Sequence, residues 1–191
     1  WISSTPDTDY PPLKENIHVD AVVLGGGIAG ITTAALLKKQ GVKVAVVEAG
    51  KIVKGVTGKT SAEISASQGF LYGTLISQYG ERDAQLCANS NLEAINRIES
   101  LIKEHDIDCD FARLPEYFYA ANAEDVDKLK VELDCCKRVG LPVSYVDKAP
   151  LPFDNYGAIR CDDQAEFHPR KYLLALANTI PGNGSFIFEN T

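Results

Sequence analysis

Methionine is absent from all 191 residues, position 1 included. A chain without an initiator is expected to be processed, cut or partial. Cysteine is sparse and odd in number: Cys87, Cys109, Cys135, Cys136 and Cys161. No C-x-x-C pair occurs, and adjacent Cys135 and Cys136 lie in a helical pattern, where they make poor disulfide partners. That usage fits reduced thiols in a cytosolic protein, so the expected location is cytoplasmic. The three histidines, His18, His105 and His168, share no metal-ligand spacing, and no metal site is expected. Basic residues number 19 against 26 acidic ones, and the net charge of −7 argues against nucleic acid or an anionic membrane as the main partner. No apolar run reaches the roughly 18 residues of a membrane span. The polar, proline-rich start "WISSTPDTDYPPLKEN" has no basic-then-apolar build, so it is not a secretion signal.

What remains is an ordinary globular composition, 45% hydrophobic and 24% charged. Residues 1–16 read as an extended lead-in. Residues 19–24, within "VDAVVLGGGIAG", alternate too little for a half-exposed strand and read as one buried on both faces. Residues 28–40 carry helical spacing and stop at Gly41; residues 43–48, "KVAVVE", form a second strand. Strand, helix and strand in this order make a βαβ unit.

Residues 51–69 read as a loop of small and hydroxyl residues with room for a short helix. An amphipathic helix is expected over about 81–105, with Leu86, Ala94, Ile95, Ile98, Leu101 and Ile102 inward. "CDFARLPEYFYAAN" reads as two short strands about a turn at Pro115, and "EDVDKLKVELDCCKRVG" as a helix ending at Gly140. "LPVSYVD" and "YGAIRCDDQAEF" are strand candidates, "PRKYLLALANTI" is a helix opened by Pro169, and "SFIFEN" is a last strand.

Gly25, Gly27 and Gly30 spell G-x-G-x-x-G at the strand-to-helix junction. Such glycines serve a tight turn, close approach of the backbone to a pyrophosphate, and close packing of helix on strand. Gly26 lies inside the turn, and the free N–H groups of Ile28 and Ala29 would face phosphates, aided by the helix dipole. Glu48, 18 residues beyond Gly30 and followed by Ala49, can accept hydrogen bonds from adenosine ribose hydroxyls. It would repel a 2′-phosphate, which disfavours NADP. FAD and NAD share this fingerprint, and the glycines do not choose between them.

The stretch from Val19 to Gly69 resembles the N-terminal part of FAD-dependent oxidoreductases of the D-amino-acid-oxidase type. The likeness is closest to a bacterial branch that often carries a C-terminal Rieske domain. "DCDF", "PLPFDNYGAIRCDDQAEFHPRKYLLALA" and "FIFENT" extend it to Thr191. The resemblance implies an α/β fold: a Rossmann-like FAD-binding domain with an inserted, partial α+β substrate domain. The FAD-binding domain would start over 17–106, the substrate domain would occupy 107–167, and 168–191 would return to the first, with 185–189 as a third parallel strand beside 43–48. Gly25, Gly26, Gly27, Ile28, Ala29, Gly30, Glu48 and Ala49 would hold the ADP half of FAD, and Thr57, Thr60 and Ser61 match a second flavin-contacting loop.

Lys59 stands where several relatives have histidine, some of them tethering flavin through it, so a non-covalent FAD is expected. Ser67 and Gln68 replace a common Gln-His pair. A Rieske 2Fe-2S cluster would lie in a C-terminal domain beyond this chain. The implied reaction is oxidation of a small amine or amino acid by hydride transfer to FAD. Arg113 and Arg160 are the candidate cations for a substrate carboxylate, and no catalytic residue is assigned. The competing readings are an NAD-dependent dehydrogenase and a non-catalytic nucleotide-binding fragment. The chain alone is expected to be inactive, to bind FAD poorly and to self-associate through bare strand edges.

Overall fold

The computed structural model describes residues 1–191. In chain order the elements are β1 (Ala21–Leu24), α1 (Ile28–Lys39), β2 (Val44–Val47), β3 (Glu63–Ile64), α2 (Leu71–Tyr79), α3 (Glu81–Glu104), β4 (Ala112–Tyr119), α4 (Val126–Arg138), β5 (Val143–Val146), β6 (Ala158–Glu166), α5 (Pro169–Ala177) and β7 (Phe186–Phe188). They form two compact units. The first holds Trp1–Ala62, Leu101–Asp110 and Phe167–Thr191; the second holds Glu63–Ser100 and Phe111–Glu166. Residues 63–100, grouped above with 17–106, therefore pack with 111–166. The physical reason is pairing: β3 joins β6, and α2 packs on α4.

Unit one is a parallel sheet in the order β1-β2-β7, with the third strand where it was expected. The central strand, β2, is the buried one; Val44, Ala45 and Val46 are at most 1% exposed. The expectation that the first strand is buried on both faces is corrected. Val22 is 57% and Leu24 82% exposed, because β1 is the edge of a three-stranded sheet and alternates like any strand covered on one side. Helix α1 buries Ile31, Ala34 and Ala35 and carries Lys38 and Lys39 in its last turn, where cations suit the helix dipole. Gly41, at φ +83°, ends it in the left-handed region. Helix α5 packs beside α1. It starts at Pro169, and its first turn is capped by the His168 ring, whose Nδ1 accepts the Lys171 N–H at 3.2 Å.

The lead-in is not loose. Thr8 and the Tyr10 N–H bond the Glu189 carboxylate, Thr5 and Pro6 bond Arg170, and the Leu13 N–H donates to Thr191.

Unit two is antiparallel. Strand β6 pairs with β4 along one side and with β3 and β5 along the other. The expected pair of short strands about Pro115 is one strand, β4, whose register shifts between Leu114 and Glu116. Proline has no N–H for the ladder, and a bulge accommodates it without ending the strand. Helix α3 is present, but two of its expected inward residues are not inward: Leu86 is 58% exposed, and Ala94 is exposed. The buried line runs through Ala84, Ala88 and Ile95, and the two alanines let the helix lie close to the cluster that holds Tyr72, Cys136 and Val139.

Helix α2 was not anticipated. Its start has no local side-chain cap. Instead Glu132, on α4 and 3% exposed, accepts the N–H of Tyr72 (2.7 Å) and of Gly73 (3.0 Å). A carboxylate at a helix N-terminus satisfies orphan donors and meets the positive end of the dipole. None of the five cysteines is in a disulfide; Cys109, Cys135, Cys136 and Cys161 are buried and Cys87 is half-buried.

Candidate functional site

The site lies in unit one, where β1 and β2 both end. The Gly25 N–H donates to the Val47 carbonyl (2.8 Å), which carries the ladder one residue past β1. The chain then turns with Gly25 at φ +102°, a conformation that excludes most side chains. The glycines after it answer to different neighbours. A Cβ on Gly26 would strike the Ile52 side chain. A Cβ on Gly30 would strike the Gly25 carbonyl, so α1 lies against the turn as closely as a backbone can. Gly27 is unlike these: its Cβ would meet only the Thr57 hydroxyl, at 3.3 Å. Backbone conformation thus accounts for Gly25, and the protein's own packing for Gly26 and Gly30. Gly27 alone keeps space open at the helix start.

Gly27 is also the N-cap residue of α1, and no side chain of its own caps the helix. Ile28 and Ala29, in the first turn, are exposed, and the Ile28 N–H points to the Thr57 hydroxyl at 3.2 Å. Thr57 sits in a 3₁₀ turn, Val56–Lys59, the short helix foreseen inside the hydroxyl-rich loop. Lys59, Thr60 and Ser61 are exposed, and the Thr60 carbonyl accepts the Trp1 indole N–H (2.7 Å).

Glu48 follows β2 and is half-buried. Its Oε2 accepts the Gly26 N–H (2.7 Å) and its Oε1 the Gly50 N–H (2.9 Å). A carboxylate oxygen can accept two hydrogen bonds, so each retains capacity for one more donor. Ala49, beside it, is exposed. The eleven residues named from the sequence therefore gather around one sheet end and the loop that returns to it.

Two groups were not foreseen. Glu189, just beyond β7 and wholly buried, accepts the Ile52 N–H (2.8 Å) and pairs with Lys51 Nζ (2.9 Å). Burial pulls its carboxyl upward, but the hydrogen bonds from Thr8, Lys51, Ile52 and Tyr10 together hold it below the usual range. Arg170, on α5 and also wholly buried, donates to the Val53 carbonyl (2.9 Å). Val53 itself has φ +56°, rare for a β-branched residue, with its N–H on the Gly26 carbonyl (2.9 Å). No local pattern betrays these contacts, since each joins residues far apart in the chain.

In unit two Arg113 is not available as an anchor for a substrate. Its Nε and Nη2 donate to Glu99 (2.9 and 2.7 Å), Nη2 to Asn96 (2.7 Å) and Nη1 to the Asp163 carbonyl (2.6 Å). It fastens α3 to β4 at the rim of a surface cavity of about 530 Å³. Arg160 pairs with Asp162 (2.8 Å) in a half-exposed position. Ser67 is buried, its N–H on Ser65 Oγ (2.9 Å), and Gln68 is exposed.

A parallel sheet with a glycine turn and an acid at neighbouring strand ends, followed in the chain by an antiparallel unit, is the mixed α/β architecture of FAD-dependent oxidases. The chain belongs to the FAD dependent oxidoreductase family, whose model matches residues 20–191. It is 35% identical over 191 residues to the Rieske 2Fe-2S iron-sulfur protein YhfW of Bacillus subtilis, covering 100% of this chain and 38% of that protein. It is 27% identical over 186 residues to the gamma-glutamylputrescine oxidoreductase of Escherichia coli, covering 94% and 43%. Glycine oxidase from Geobacillus kaustophilus shares the fold at TM-score 0.75 and 20% identity, over 92% of this chain and 47% of its own. L-amino acid deaminase from Proteus vulgaris does so at 0.73 and 19%, over 97% and 43%. The chain spans less than half the length of each of these proteins. No helix is long and apolar enough to cross a membrane.

Proposed function

We propose that this chain is the front portion of a flavin-dependent enzyme that oxidises a small amine or amino acid. Unit one is its FAD-binding part, and unit two is part of its substrate domain. The observation that carries the reading is Gly27: Gly25 is explained by its backbone conformation and Gly26 and Gly30 by packing, whereas Gly27 has neither reason and stands at the N-terminus of α1. The residues fit the group. Backbone N–H groups of Gly27, Ile28 and Ala29 would hold the pyrophosphate, and Thr57 stands beside them. Glu48, fixed by Gly26 and Gly50, would take the ribose hydroxyls. When bound, FAD supplies the hydride acceptor. The chain's own part is to bind and orient. Lysine at 59 leaves the flavin non-covalent. The relatives' names, which include glycine, L-amino acid and gamma-glutamylputrescine, support an amine or amino-acid substrate. The name of YhfW supports a Rieske cluster elsewhere in the full-length protein.

FAD titration of the full-length protein tests the site. Gly27→Val should block binding, and Glu48→Ala should weaken it by about 1.5–3 kcal/mol, the range for a hydrogen bond to a charged group. Unchanged affinity in both variants overturns the reading. Acid precipitation tests the attachment: the yellow colour should stay in the supernatant, and flavin retained in the pellet refutes the assignment of Lys59.

A further inference from the structure

We infer that Arg170 and Glu189 are positioning residues for the flavin loop, and that the segment Thr5–Tyr10 is the clasp that holds them to that task. The inference rests on the FAD reading above and adds to it a part of the chain that carries no nucleotide motif.

Each of the two buried ions has one arm on the loop and one on the clasp. Arg170 gives Nη1 to the Val53 carbonyl (2.9 Å), Nε to the Thr5 hydroxyl (2.7 Å) and Nη2 to the Pro6 carbonyl (2.9 Å). Glu189 accepts the Ile52 N–H (2.8 Å) and meets Lys51 Nζ (2.9 Å); from the clasp it accepts the Thr8 hydroxyl and the Tyr10 N–H (3.2 Å). The Lys51 ammonium closes the circuit on the Thr8 carbonyl (2.7 Å). Both ions are 0% exposed, and a wholly buried ion is tolerated only with its hydrogen bonds filled. The clasp fills about half of them.

On its other side the loop meets the glycine turn and the start of α1. The Val53 N–H is on the Gly26 carbonyl, and the Thr57 hydroxyl faces the Ile28 N–H. Val53 holds a left-handed backbone that a valine does not choose for itself, so something must impose it. Arg170 on its carbonyl and Gly26 on its N–H do so. The loop from Ile52 to Ser61 is thus set from behind, by groups whose remaining bonds go to the clasp.

The test separates positioning from general stability by comparing two ligands. ADP would use the glycine turn and Glu48 and meet the loop only at Thr57; FAD would also need the loop through Ser61. In the full-length protein the double variant Thr5→Val, Thr8→Val should bind FAD about tenfold more weakly, with ADP affinity held within about twofold. Thr5→Ser with Thr8→Ser keeps both hydroxyls and should restore wild-type FAD affinity. Should the double valine variant not fold, as read by circular dichroism without ligand, Thr8→Val alone carries the same comparison. Equal loss for ADP and FAD, or no loss for either, overturns the clasp while wild-type binding of FAD leaves the functional reading standing. A wild-type protein that takes up neither ligand overturns both.

Discussion

The two units use buried charge for opposite ends. In unit one Arg170 and Glu189 are wholly buried, and what they hold is irregular: the loop after β2 and the segment before β1. In unit two Glu132 is nearly as buried, and what it holds is regular: the first turn of α2. Charged side chains are seldom buried without such partners. The difference teaches where each unit needs definition beyond its apolar core. Unit two has an antiparallel sheet whose strands fix one another, and its charge completes a helix. Unit one has a loop that neither sheet nor helix can fix.

The comparison breaks most sharply at the backbone of unit one. Gly30→Val should cost about 3 kcal/mol, at the top of the range for overpacking, because the Cβ meets the Gly25 carbonyl and not a side chain that can swing away. Hydrogen exchange should quicken over 21–39 and leave the strands of unit two protected. Protection lost equally in both units would show that they do not open independently. Next is Glu132→Ala, expected to cost about 1–3 kcal/mol by leaving the Tyr72 and Gly73 N–H groups without acceptors. Urea unfolding should show the loss, with 71–79 exchanging fastest; a variant as stable as wild type would mean that α2 is capped in another way.

The smallest effect is in pH, and its sign differs between the units. Burial lowers the His168 pKa below its ordinary 6.5, and the Lys171 charge adds to this. The unfolded chain then takes up the proton first. The contribution to unit one is full above about 6.5 and declines as pH falls below it. Burial raises Glu116 to about 7, with Glu63 adding to the rise and Ser65 opposing it. That side chain favours the fold below its ordinary 4.5, and the advantage is lost as pH rises from there toward about 7. Acidification should therefore loosen α5 and tighten β4 in exchange measurements. Parallel trends in the two would contradict the assignment.

The βαβ unit, and the meeting of its glycine turn with Glu48 at one sheet end, were legible in the sequence because their signals are local. Gly25 to Gly30 and Glu48 sit at fixed intervals around a buried strand and a helix. The start of α2 was not legible, since its cap comes from Glu132, 60 residues on from Tyr72. Pro115 misled because a proline reads as a turn, whereas the register shift lets β4 pass through it. Leu86 misled because size suggests burial; the α3 face is built from Ala84 and Ala88, which let it come close. The lead-in carries no periodicity at all, and its bonds to Arg170 and Glu189 reach across 165 and 181 residues.

The buried thiols give the molecule its own reporters. Only Cys87 is partly accessible in the folded chain. A thiol reagent should label it quickly and the other four only when their surroundings open. Burial also lifts the Cys136 and Cys161 pKa values, the latter to about 12, so almost no thiolate is available without opening. Cys109 lies in unit one, and Cys135, Cys136 and Cys161 lie in unit two. The order in which the slow sites are modified would tell, without any engineered probe, which unit opens first and whether a nucleotide slows the opening of one alone.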